Sequence, residues 1–228
     1  MVGQVMLKVL KERSFPVSEL IAVASDKSLG KSVVFNKQAI TIVSLADALE
    51  RSPNLALFSA GSDVSKEWAP RFVEKGTTVV DNSSYWRMSP EHKLIIPEIN
   101  GYLLNENDRI IANPNCSTIQ LLMALKPLHD AYKAKRIVLS TYQSVTGTGM
   151  KALAQLQSEA SGQRAQMAYP YPIYQNALPH CDVFEDNGYT KEEMKVAWET
   201  RKIFGIKNDD DCKISVTAVR VPTLRAHA

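Results

Sequence analysis

The sequence predicts an α/β chain, with a doubly wound parallel sheet in its first half and an α+β domain in its second. Three observations carry this. Five short apolar runs recur before residue 116, helical periodicity fills the intervals between them, and from about residue 116 the texture changes to helices, a β-rich run and an irregular stretch. Strands separated by helical segments require crossover connections, which lay them parallel in one sheet. The predicted domains are 1–115 and 116–228.

Residues 4–13 (QVMLKVLKER) set Met6, Val9 and Leu10 on one helical face, with Lys and Arg opposite. Residues 20–24 (LIAVA) form a continuous apolar run, the pattern of a strand buried on both faces. Residues 55–60 (LALFSA) form a second, followed by Gly61-Ser-Asp63 as a turn and N-cap for a helix carrying Trp68 and Phe72. Residues 77–81, 94–96 and 110–112 complete the five strands. In the second half a helix over 119–128 leads into a β-rich run at 136–143, and a glycine-containing turn at 146–149 precedes a helix near 150–160. An irregular stretch rich in Pro, Tyr and Gln (163–180), a charged helix over 191–204 and a final strand over 214–221 follow.

Composition narrows the function classes. Hydrophobic residues make up 45% of the 228 and charged residues 22%, a soluble globular balance. A net charge of +3 with dispersed Lys and Arg argues against nucleic acid as the main partner and suits an anionic small molecule. No apolar stretch approaches the roughly 18–20 residues that span a bilayer, and no basic-then-apolar leader opens the chain. Cys116, Cys181 and Cys212 are an odd count without tight spacing, so neither a disulfide framework nor a metal site is expected, and the reducing cytoplasm is the expected compartment. His180-Cys-Asp182 lacks the partner spacing of a metal site, and His92, His129 and His180 read as structural.

Both ends depart from this pattern. Met1-Val-Gly3 leads directly into the first helix, whereas in a nucleotide-binding sheet that helix follows a strand and a glycine-rich turn whose amides hold the cofactor pyrophosphate. Gly3 suits the last glycine of such a turn, so the expected fold is Rossmann-like with its first strand missing. The plainer reading, a true start at Met1 and a flexible Gly3, stands beside it. At the other end Arg220, Arg225 and His227 fall within the last nine residues, and termini fray, so a functional cluster there is expected to be poorly positioned. The expectation is a chain cut short at both ends, its second domain incomplete.

Asn113-Pro-Asn-Cys-Ser-Thr118 carries the most chemistry. It ends a strand and opens a helix, so Cys116 falls at a helix N-terminus, where free amides and the helix dipole favour the thiolate. A lone cysteine is ordinarily a small buried hydrophobe. Here the polar, turn-forming neighbours reverse that reading and make Cys116 a candidate nucleophile toward an acyl group.

Together with Phe58-Ser-Ala-Gly61, Asp81-Asn-Ser-Ser-Tyr85 through Arg87, Pro97-Glu-Ile-Asn100, Tyr142-Gln-Ser-Val145 and Arg220 through His227, that motif resembles the aspartate-semialdehyde dehydrogenases, in family order along essentially the whole chain. Related N-acetyl-glutamyl-phosphate reductases usually carry Gly before the cysteine and Tyr after it. Asn115 and Ser117 point to the aspartyl enzyme, and the acetylglutamyl reductase is the alternative. The resemblance implies NADPH-dependent reductive dephosphorylation of L-4-aspartyl phosphate through a cysteine thioester, on the route to lysine, threonine and methionine. It casts Cys116 as nucleophile, His227 as acid/base and Gln143 as the residue orienting the acyl group. Arg220 matches the arginine on the substrate carboxylate, Arg87 and Lys195 the phosphate-binding pair assisted by Asn115, and Glu192 the acid facing the substrate ammonium. Arg225 receives no role.

The resemblance implies NADP as cofactor, with Gly3, Ser59, Ala60 and Gly61 among its contacts. Ser25, Lys27 and Ser28, after the strand ending near Ala24, supply the hydroxyls and cation that a 2′-phosphate wants, where an NAD site has an acid. The family more often has Arg at the position of Lys27, and Asp26 is an unfavourable neighbour. A homodimer or homotetramer is implied for the complete enzyme, with no nucleic-acid or membrane partner. Because of its ends, this chain is expected to bind NADPH weakly and to turn over little, as an inert fragment.

Overall fold

The computed structural model describes residues 2–164 and 166–228. Met1, the reading of the chain's start, and Ala165, inside the irregular stretch, lie outside the described residues. The chain divides into two compact units, Met1–Pro114 and Asn115–Ala228.

The first unit runs α1 (Val2–Glu12), β1 (Ala22–Val23), β2 (Ser32–Phe35), β3 (Gln38–Val43), α2 (Leu45–Glu50), β4 (Leu55–Phe58), α3 (Ser62–Glu74), β5 (Thr78–Asp81), β6 (Lys93–Leu94), α4 (Pro97–Asn100) and β7 (Ile110–Ala112). Its main sheet is wholly parallel in the order β4-β5-β7-β6. A smaller sheet in the order β1-β3-β2 pairs β1 parallel to β3 and β2 antiparallel to it. The core under α2 and α3 is Ala48, Phe58, Ala69, Phe72, Val79 and Ile110, with the Phe58 and Phe72 rings edge to face at 5.5 Å.

Two strands differ from the sequence expectation. β1 is only two residues long, with Ala22 half-buried and Val23 exposed, rather than a five-residue run buried on both faces. In β4, Ala56 and Phe58 turn inward while Leu55 and Leu57 stand exposed. Both are outer strands of their sheets among the described residues, so one flank of each lacks the neighbour whose side chains would cover it. The β2–β3 hairpin and α2 were not foreseen. The hairpin turns at Asn36-Lys37, both at positive φ (48° and 68°), as a two-residue connection demands. A capping box starts α2, with the Ser44 amide and Asp47 carboxylate paired and the Asp47 amide donating to Ser44 Oγ at 3.0 Å.

The second unit runs α5 (Cys116–Tyr132), β8 (Arg136–Gln143), α6 (Met150–Ala160), α7 (Lys191–Phe204) and β9 (Lys213–Arg220). β8 and β9 pair in parallel along their full length, from Arg136↔Lys213 to Gln143↔Arg220. Thr190 opens α7 through a capping box with Glu193, and Gly205 closes it at φ 69°, a left-handed position suited to glycine. Glu193 also accepts the Ala218 amide at 2.9 Å, which ties the start of α7 to β9. The stretch after α6 is held by α6 itself: Gln155 accepts the amides of Ala168 and Tyr169, and Glu159 those of Ile173 and Tyr174.

Candidate active site

Asn115 caps α5: its extended backbone (φ −60°, ψ 144°) stops the helix, and its side chain accepts the Ser117 amide at 2.8 Å. Cys116 is therefore the first helical residue, where the amides of the opening turn have no partner in the helix ladder. It is exposed, whereas Cys181 and Cys212 are buried. Burial pushes the Cys181 thiol up to about 11, far from a reactive thiolate.

Two carboxylates of α7 hold Asn115. Glu192 accepts its side-chain amide at 2.9 Å and Glu199 its backbone N–H at 2.6 Å. Gln143, at the end of β8 and 1% exposed, donates to Ser117 Oγ at 3.1 Å, Thr141 Oγ1 at 3.3 Å and Glu192 Oε1 at 3.3 Å. Its position is fixed from three sides.

His227 is not left to fray. Ala228 and Tyr142 exchange backbone hydrogen bonds at 2.7 and 3.0 Å, and His227 bridges antiparallel to Gln143. The expectation of a poorly positioned cluster is therefore corrected: residues 226–228 add a short antiparallel segment to the edge of β8. His227 Nδ1 lies 3.1 Å from both the Ser144 amide nitrogen and the Ala226 carbonyl oxygen, so that ring nitrogen is held against the backbone. Burial holds the imidazole below its ordinary value; the Ala226 carbonyl opposes this, Arg220 reinforces it and Glu192 opposes it. The neutral ring is thus favoured.

Arg220, 5% exposed at the end of β9, donates from Nη1 to the Ser144 carbonyl at 2.7 Å. Its Nε is buried without a partner among the described residues, so the guanidinium retains donor capacity. Gly147 lies against both groups. A Cβ there would meet Arg220 Nη1 at 2.7 Å and His227 Cε1 and Nε2 at 3.1 Å.

Lys195 stands three residues after Glu192 on α7, with Nζ 2.7 Å from Asp182 and 3.4 Å from Glu192. Burial works against its charge, but the hydrogen bond to Asp182 and the field of Glu192 and Asp182 outweigh it and raise its pKa. Asp182 is lowered in turn: burial opposes the shift and Lys195 overcomes it. The His180-Cys-Asp182 run is spent structurally, with His180 on the Phe184 ring and Cys181 in the interior. Among the described residues no group of His, Cys, Asp and Glu could hold a metal.

The remaining predicted residues lie in the first unit. Arg87, 7% exposed, donates to the carbonyls of Ser83 at 3.0 Å and Asn82 at 3.0 Å, bracing the turn that follows β5. Buried Asp81 holds the base of that turn by accepting Ser65 Oγ–H and the Ser83 amide. Ser59, Ala60 and Gly61 lie exposed beyond the C-terminal end of β4, the side on which parallel sheets bind ligands. Gly61 (φ 96°) opens α3 without a side-chain cap. Ser25 precedes a short 3-10 turn over Asp26–Ser28, with Ser25 and Lys27 exposed and Ser28 half-buried after β1. Gly3 sits in the first turn of α1, open to solvent, and not in a turn before the helix.

Three participants escaped the sequence reading. In the sequence Ser117 stands only as part of the cysteine motif that marks the aspartyl enzyme, and Gly147 only as part of a turn. Glu199 was available: Glu192, Lys195 and Glu199 follow an i, i+3, i+7 spacing on one face of α7.

Comparison with known proteins matches residues 1–106 to a semialdehyde dehydrogenase NAD-binding domain and residues 125–228 to a semialdehyde dehydrogenase dimerisation domain. The whole chain is 46% identical to an aspartate-semialdehyde dehydrogenase of Aquifex aeolicus and 47% identical to one of Legionella pneumophila, spanning 68% and 67% of their lengths. The crystal structure of aspartate semialdehyde dehydrogenase II from Vibrio cholerae superposes with a TM-score of 0.91 at 44% identity, covering 99% of this chain and 69% of that one. The same enzyme complexed with ASA gives 0.92 at 43% identity, covering 99% of this chain and 68% of that one. The chain belongs to the aspartate-semialdehyde dehydrogenase family.

Proposed function

We propose that this chain carries out the NADPH-dependent reductive dephosphorylation of L-4-aspartyl phosphate to L-aspartate 4-semialdehyde, in the biosynthesis of lysine, threonine and methionine. The observation that carries the reading is the exposed Cys116 at the first position of α5, with Gln143, Glu192, Lys195, Arg220 and His227 in the same unit. The relatives named for the aspartyl enzyme favour this substrate over an acetylglutamyl one.

The Cys116 thiolate attacks the acyl carbon, and phosphate departs with the bonding pair to leave a thioester. When bound, the nicotinamide cofactor supplies the hydride that reduces this thioester. His227, neutral at rest, takes the proton of the Cys116 thiol as the thiolate forms, and as imidazolium it gives that proton to the oxyanion that reduction leaves on the Cys116 adduct. It takes the proton back as the C–S bond breaks, releasing aldehyde and thiolate. Gln143 orients the acyl oxygen, and Arg220 binds the substrate carboxylate through its guanidinium fork. Lys195, kept charged by its acidic neighbours, and Arg87 neutralise the phosphate with help from Asn115. Glu192 receives the substrate ammonium.

Residues 1–115 are assigned to cofactor binding and 116–228 to catalysis and dimerisation, which the two domain matches support. The fit to NADP rests on exposed hydroxyls and an ammonium after β1 (Ser25, Lys27, Ser28) and on Ser59, Ala60 and Gly61 before the uncapped start of α3. Gly3 adds a first-turn amide that α1 does not use. A homodimer or homotetramer is the proposed assembly. No helix among the described residues is long and apolar enough to cross a membrane. The free thiols of Cys116, Cys181 and Cys212 favour a reducing cytoplasm.

The test is NADP⁺- and phosphate-dependent oxidation of the semialdehyde, followed at the nicotinamide absorbance, with the Cys116→Ser protein alongside. The substitution is expected to lower turnover by about 10³-fold or more. Normal turnover by Cys116→Ser would remove the nucleophile and the thioester route with it.

A further inference from the structure

Glu199 is a buried carboxylate that the catalytic scheme does not use. It is 1% exposed on α7, and it accepts the backbone N–H of Asn115 at 2.6 Å. That N–H belongs to the N-cap of α5, so it points away from the helix ladder and needs an outside acceptor. The side chain of the same residue is held separately by Glu192 at 2.9 Å. The residue immediately before the nucleophile is therefore gripped at two points, main chain and side chain, from one face of a neighbouring helix.

A buried carboxylate is costly unless hydrogen bonds satisfy it, and a buried backbone N–H is costly unless it finds an acceptor, so the two groups 2.6 Å apart hold each other in place. An acceptor of this kind fixes the backbone it binds more firmly than a water would. Cys116 follows directly, and both its reach toward an acyl carbon and its overlap with the free amides of α5 depend on where residue 115 is held. We propose that Glu199 is a positioning residue for the nucleophile, pinning the Asn115 amide and with it the first turn of α5. The inference rests on Cys116 being the nucleophile, as set out above.

Two conservative variants separate this from a charge effect or a packing effect. Glu199→Gln keeps the length of the arm and an oxygen acceptor but removes the charge. Glu199→Asp keeps the charge but withdraws the acceptor by one carbon. Cys116 is exposed while Cys181 and Cys212 are buried, so iodoacetamide applied to the native protein reports on Cys116.

Turnover of Glu199→Gln is expected within about threefold of the parent. Glu199→Asp is expected to lose about 30-fold in kcat with the semialdehyde KM changed less than threefold, and its alkylation midpoint is expected to move up by about half a pH unit. Glu199→Asp within threefold of the parent overturns the proposal. Equal losses in both variants, or a loss in Glu199→Asp with unchanged alkylation, also overturn it, since either would mark a charge or packing role. Failure of the underlying reading is seen separately, as full turnover by Cys116→Ser.

Discussion

A side chain at position 147 would place its first carbon 2.7 Å from Arg220 Nη1 and 3.1 Å from two atoms of the His227 ring. Nothing in the backbone conformation there demands glycine, because its φ lies outside the left-handed region. The requirement is space alone, set by two site groups lying against the turn after β8. Gly147→Ala is therefore expected to fold normally, with a thermal midpoint within a few degrees of the parent, while kcat/KM for the semialdehyde falls about 100-fold as both groups are displaced. Unchanged kinetics in a well-folded Gly147→Ala would mean that Arg220 and His227 can shift without consequence. At this scale the sequence was legible where chemistry marks a residue: a cysteine among turn formers, a histidine and arginines at a strand end. It was silent where the role is an absence, as with Gly147, or a reach across the fold, as with Glu199 meeting a backbone amide 84 positions away. Only packing creates such roles.

The elements that carry the site are those with the clearest local signals. α7 runs from Thr190, with Glu193 three residues on, to Gly205, and its bounds agree with the sequence expectation because cap and stop are both written locally. The hairpin of β2 and β3 went unseen because its turn is Asn36-Lys37 and not the Asn-Gly pair that announces such turns. The apolar run at β1 predicts a longer buried strand, because such a run shows its content but not what will cover it. The capping box of α7 also has a consequence for stability. The Thr190 hydroxyl is buried and donates to Glu193 at 2.8 Å, while Glu193 reaches on to the Ala218 amide of β9. Thr190→Ala is expected to cost about 1–2 kcal/mol, read from denaturant unfolding, and Thr190→Ser to recover most of it. A Thr190→Ala protein as stable as the parent would show that Glu193 alone secures the start of the helix.

At the scale of the whole molecule, the two units divide the chemistry. The second unit holds the proposed nucleophile, acid/base and carboxylate-binding arginine, while the first offers a parallel sheet whose strand ends carry hydroxyls and small residues. If cofactor choice belongs to the first unit, it can be altered without touching the thiol. Lys27 is the residue proposed to decide it. It is exposed in the short turn after β1, flanked by Ser25 and Ser28, and it is the cation available there to a ribose 2′-phosphate. Lys27 would face the added charge of the 2′-phosphate, so its removal should weaken NADP about tenfold and leave NAD, which has no 2′-phosphate, nearly unaffected. Lys27→Ala is therefore expected to raise the KM for NADP⁺ about tenfold, to leave the KM for NAD⁺ within twofold, and to leave alkylation of Cys116 unchanged. An equal rise for both cofactors would place Lys27 on the shared pyrophosphate. No change for either would move the 2′-phosphate contact to Ser25 and Ser28, where a double alanine variant should then show the same selective loss.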